Sequence, residues 1–151
     1  MDIYKDPWLS LVKFTKGIAQ AAFTTGVCAQ LPVFVNLDAH AEFNTLPEQD
    51  FVCLSGYALH INEKIGTIFV SIGASTYGDP ENVRLIEMMG LLVSALIPGT
   101  PIPIYAGGNA LTPAGNMVVA NSPIVEPTEK GNLRGIQLVS VRILPGHALG
   151  A

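Results

Sequence analysis

The 151 residues suffice for one domain of ordinary size and are too few for two large cores. Hydrophobic residues make up 49% and charged residues only 13%, the latter about half the roughly 25% usual in such domains; a chain this apolar offsets its ordering entropy by burial, which excludes disorder. Eight Lys and Arg against twelve Asp and Glu give a net charge of -4, without the basic footprint of a dedicated DNA- or RNA-binding module.

In chain order, Asp6-Pro7 has the form of a helix start, an N-cap acceptor followed by a proline at the first helical position. Trp8, Leu11, Val12, Thr15, Ile18, Ala19 and Ala22 then recur at three- and four-residue spacing, which predicts a helix with one apolar face that ends near Gly26. Pro32 to Asn36 predicts a short strand. Phe51–Ile61 and Thr67–Ile72 are strand-like and flank Asn62-Glu63-Lys64-Ile65-Gly66, so a β-hairpin is expected, with Ile68, Val70 and Ile72 on one face.

A second Asp-Pro pair, Asp79-Pro80, opens a second helix, with Val83, Leu85, Ile86, Met88, Met89, Leu92, Val93, Leu96 and Ile97 leaving only a thin polar stripe through Arg84, Glu87 and Ser94, so cover on more than one side is expected. Pro98-Gly99 stops it. Ile102–Tyr105 predicts an edge strand, since Pro103 cannot donate to a central ladder. Met117–Ala120 is a further strand candidate. Ile136–Leu144 is apolar on both alternating faces and is expected at the centre of the sheet. The expected fold is α+β, a mainly antiparallel sheet with two principal helices packed on it. A single domain would cover residues 1–144, with a long uncharged loop at about 106–122 and a flexible tail at 145–151.

Charge is unevenly spread. Met88 to Val125, 38 residues, and Gly17 to Leu37 contain no Asp, Glu, Lys or Arg. Glycine, proline and asparagine at 107–116 exclude burial of the whole longer run. It is either an exposed uncharged loop or a surface covered by another chain, because interface cores are depleted in charge. The apolar runs are broken by polar residues or too short to span a bilayer, and Asp2 and Asp6 stand where a secretory signal carries basic residues. Synthesis in the cytoplasm, with Cys28 and Cys53 reduced, is expected.

No catalytic constellation emerges. His40, His60 and His147 show no metal-ligand spacing, and there is no Cys-x-x-Cys. Ser55 or Ser75 with His60 lacks a G-x-S-x-G elbow. Gly73–Asp79 lies where phosphate-cradling loops occur but lacks their spacing, and Asp79 would repel an anion there, so a turn and helix cap are expected. Neither enzymatic activity, a cofactor nor a metal is expected.

The element order, with Leu54–Ile61 and Gly66–Ile72 as a hairpin, Asp79–Ile86 opening the apolar helix and Pro98–Tyr105 after it, resembles the tail terminator proteins of long-tailed bacteriophages over most of residues 1–144. The resemblance implies a ring subunit, commonly a hexamer, that caps the tail tube in the virion and joins it to the head or neck. Its implied partners are copies of itself, the tail tube protein and neck or connector proteins, with genome DNA passing through unbound. Heterologous interfaces that close on themselves make such rings, and an acidic chain does not retain DNA as a basic one would. Ile102, Ile104, Tyr105, Met117 and Val118 are the expected subunit or tube contacts, in part by strand addition to a neighbour. Glu42, Glu48 and Asp50 are expected at the lumen or rim. Two alternatives stay open: another neck, connector or tube subunit, and a small-molecule-binding domain or enzyme with Tyr57 and His60 facing a pocket.

Overall fold

A computed structural model describes residues 5–24, 32–35, 48–62, 65–108, 112–120, 124–125, 129–130 and 133–145. Two helices, α1 (Lys5–Thr24) and α2 (Val83–Ala95), accompany eight strands: β1 (Val33–Val35), β2 (Phe51–Asn62), β3 (Ile65–Tyr77), β4 (Pro101–Ile104), β5 (Gly115–Val119), β6 (Ile124–Val125), β7 (Glu129–Lys130) and β8 (Arg134–Pro145). They form one curled sheet in the order β1-β2-β3-β8-β5-β4, antiparallel except for β1 beside β2. The fold is α+β, with both helices on one face of the sheet.

Alternation decides which side chains meet the helices. Ile68, Val70, Ile72 and Ala74 of β3 and Val139, Val141 and Ile143 of β8 point to that face and pack with Leu85, Met88, Met89 and Leu92 of α2 and Leu11 of α1. Each such fully buried aliphatic side chain stabilises the fold by roughly 1.5–3 kcal/mol. The intervening residues face the other side, where Phe51, Cys53, Ile136 and Leu138 make a second, smaller cluster joined by Phe34. β8 is apolar on both faces because it has a core on both.

Four local expectations change. Asp6 does not cap α1 from outside: the helix already includes Lys5, and the Asp6 carboxylate lies buried, accepting the Gly107 N–H at 3.0 Å. The hairpin ladder runs through Ile65 and Gly66, which pair with Asn62 and Ile61, so Gly66 is strand and not turn. β3 continues through Gly73–Tyr77, because Ala74 and Thr76 keep the helix-face alternation and are buried. The expected loop at 106–122 contains a single helical turn at Ala106–Gly108 and then β5. Gly26 and residues 146–151 lie outside the described residues.

β5, β6 and β7 share one edge of β8. Val119 pairs with Ile143, Ile124 with Ser140, Val125 with Val139, and Glu129 with Ile136. The register slips between each piece, so three short strands follow β8 in turn, two from the end of the neutral run and one from Glu129–Lys130.

β4 closes the sheet as expected of an edge. Prolines have no N–H, so the ladder to β5 uses Ile102 and Ile104, and Pro101 and Pro103 occupy the outward positions. That edge offers carbonyls and no donors, and a neighbouring strand cannot add to it by ordinary pairing. Replacing both prolines by valine is expected to leave the subunit folded and to promote edge-to-edge association, read as rising light scattering and thioflavin fluorescence on incubation. Unchanged scattering would show that the prolines do not guard the edge.

Candidate functional site

A polar cluster lies where the end of β3, the start of β8 and the start of α2 meet. Asp50 accepts the Tyr77 N–H at 2.9 Å and pairs with Arg84 of α2, Nε to Oδ2, at 2.9 Å. Arg84 also donates to the Tyr77 carbonyl at 2.7 Å. Arg134 is buried, donates to Ser75 Oγ at 2.7 Å and to the Gln49 carbonyl at 3.2 Å, and its guanidinium lies 5.3 Å from the ring centres of both Phe51 and Tyr77. Burial lowers the Arg134 pKa, opposed by Asp50, Tyr77 and Glu48. These groups are occupied with one another, which makes the cluster a structural staple between strands and helix.

Asp79 sits beside it and caps α2 from below. Its carboxylate accepts from the Val83 N–H at 3.0 Å, the Leu85 N–H at 3.1 Å and Thr76 Oγ at 3.1 Å. The helix does not open at Asp79-Pro80 as expected: it begins at Val83, with Asn82 at the N-cap in the left-handed conformation, φ 57°, and Asp79 reaches its first N–H groups from four positions before Val83. Burial pushes the Asp79 carboxyl up, but the Leu85 N–H, Thr76 hydroxyl and Arg84 together hold it below its ordinary value of 3.8. A native pKa below the unfolded one gives stability that is present above pH 3.8 and lost as pH falls through the native value. Asp79→Asn is therefore expected to cost about 1 kcal/mol at neutral pH. Its urea midpoint falls less than the wild type's between pH 5 and pH 2, and parallel acid dependence in both would refute the assignment.

Among the described residues no three His, Cys, Asp or Glu side chains gather where a metal could sit. Ser75 is buried against Arg134 and the Gly135 carbonyl, away from any nucleophile's role. Cys53 is a free thiol whose pKa burial pushes up to about 12, so it is inert. Cys28 lies outside the described residues. Tyr57 packs on Trp8 of α1, ring centres 5.1 Å apart, whereas His60 stands on the opposite face against Phe69, also at 5.1 Å. A pocket lined by both does not exist.

The expected interface residues are redistributed. Ile102, Ile104 and Met117 are core, because their strands turn those side chains toward α1 and α2. Tyr105 is clamped by α1: Ser10 Oγ accepts its N–H at 2.9 Å, and Lys13 Nζ lies 3.7 Å from its ring centre. Val118, half-buried between the core residues Met117 and Val119, faces away from the helices. Asp50 is tied into the staple and not displayed at a rim; Glu48 is exposed, and Glu42 lies outside the described residues.

What the structure does display is an open groove of about 300 Å³ on the face away from the helices. Its floor is small, with Gly56, Ser71 and Ser140; Phe69 and Ile124 wall it, and Arg142 lies alongside. β2 bulges between Ser55 and Ala58, where Gly56 takes φ 68°, a conformation suited to glycine. The bulge re-aims β2, putting Tyr57 and Leu59 on the helix side and His60 on the groove side. The sequence held a sign of this groove in the Ser140 and Arg142 that interrupt an otherwise apolar β8 face.

No family model and no curated protein sequence matches the chain. Its fold is similar to that of a solved structure whose name describes no function, at a TM-score of 0.59 and 12% identity over 95% of this chain and 97% of that one. That similarity establishes a shared fold. No described helix is long and apolar enough to cross a membrane.

Proposed function

We propose that the chain is a structural subunit of a bacteriophage tail, a tail terminator that forms a ring, caps the tail tube and joins it to the head or neck. The observation that carries this reading is the mismatch between a well-filled core and an apolar exterior. Phe69, Val83, Ile86, Ile97, Ile124 and Val125 all stay exposed around a sheet whose helix face is already packed. Scattered apolar residues are ordinary, but here they accompany a long chargeless run and little surface charge, the pattern of a surface completed by other chains. Tail tube and neck proteins would be its partners, with DNA threading the acidic ring unbound. It would act in the virion without catalysis or cofactor. Molar mass by light scattering across a concentration series, with negative-stain images and binding to purified tail tubes, tests the reading. A closed ring that binds tube ends is expected. A ring that binds necks or connectors instead makes it another joining subunit; a concentration-independent monomer overturns the proposal.

A small-molecule-binding reading has one observation in its favour, the groove, whose volume falls at the lower end for ligand pockets. It predicts a monomer or dimer whose melting temperature rises with a metabolite.

A further inference from the structure

Resting on the ring reading, we infer that the ring is built by one contact repeated: the exposed stripe of α2 on one subunit seats in the groove of the next, with Glu87 paired to Arg142. α2 turns Val83, Ile86, Glu87, Gly90 and Ser94 to the outside at helical spacing, and Val83 and Ile86 are 53% and 65% exposed. The groove lies on the opposite face of the sheet, where Phe69 and Ile124 are 42% and 69% exposed. Two different complementary patches on opposite sides of one molecule make a head-to-tail contact, which yields a ring when the rotation closes.

Three features match the patches to each other. Apolar Val83 and Ile86 meet the walls Phe69 and Ile124. Glu87 is the one acid on the stripe and Arg142 the cation lining the groove, and within the described residues neither has an ion-pair partner. Gly90 lies mid-helix, where glycine is less favourable than alanine, yet a Cβ there would meet nothing within 4 Å among the described residues. Packing among the described residues gives no reason for that glycine. A floor of Gly56, Ser71 and Ser140 approaching from a neighbour does, since small residues on both sides let a helix lie close to a sheet.

The test uses the full chain. Glu87→Arg and Arg142→Glu are each expected to weaken assembly about tenfold or more, read by light scattering, while circular dichroism and melting temperature of the subunit stay near wild type. The double swap restores the ring. Gly90→Gln, placed in open space within the subunit, folds at least as stably as wild type and fails to close the ring. Rings that persist in both single swaps, or a double swap that stays dissociated, overturn this contact and leave the ring reading standing. A wild-type monomer or closed dimer overturns both.

Discussion

Replacing Gly73 by alanine is expected to destabilise the fold by on the order of 3 kcal/mol, lowering the melting temperature by roughly 10 °C for a domain of this size. Gly73 sits mid-sheet, paired with Cys53 on β2 and Leu138 on β8. A Cβ there would lie 2.5 Å from the Gln137 carbonyl oxygen and 2.5 Å from Leu138 Cδ2. The leucine tip can rotate away, but the carbonyl belongs to the neighbouring strand and yields only if the sheet opens. Gly73→Ala with Leu138→Ala should therefore recover little, and adds the cost of emptying the smaller cluster. Urea denaturation of the single and double variants checks this. Recovery in the double variant would place the strain in the side chain alone.

Arg134→Met is the second large effect, at about 3 kcal/mol. The guanidinium fills a slot between Phe51 and Tyr77 and satisfies Ser75 Oγ and the Gln49 carbonyl. Methionine keeps much of the volume but leaves those acceptors without their donor and Asp50 with less nearby positive charge. Arg134→Lys retains the charge and is still expected to lose about 2 kcal/mol, because an ammonium neither stacks on two rings nor spans two acceptors in one plane. Thermal unfolding of both variants distinguishes geometry from charge. A lysine variant as stable as wild type would mean that charge alone matters.

Much of this architecture was legible in the sequence. Strong period-two alternation in Thr67–Ile72 and a β8 apolar on both faces located the hairpin and the central strand, whereas the apolar circumference of α2 pointed to cover on more than one side and the helix buries Leu85, Met88, Met89 and Leu92 while Val83 and Ile86 stay exposed. Tertiary pairings were less accessible. The Asp50–Arg84 pair spans 34 positions and the Asp6 contact to Gly107 spans 101, distances at which no local pattern operates. Ile102, Ile104 and Met117 suggested an interface because they lie beside loop-like residues. Their burial depends on α1 and α2 covering that end of the sheet, which no feature of their own segment declares. The groove was missed because it arises from a single inserted residue in β2, and an extra residue leaves no mark on composition.

The position of β8 also dictates when the sheet becomes continuous. β1, β2 and β3 end at Tyr77, and β4 and β5 pair with each other over 101–119; only β8, synthesised after both, lies between them. Until residues 134–145 leave the ribosome there are two sheet fragments with no hydrogen-bonded link, and the thirteen-residue β3 has a bare edge. The nascent chain is thus at its most vulnerable to mispairing just before β8 emerges. Closure of the sheet by β8 also sets Ile124 and Phe69 on either side of Ser140, so the groove is finished in the same step. A groove lined by Ser140 and Arg142 of the last strand therefore exists only once the two sheet fragments have been joined.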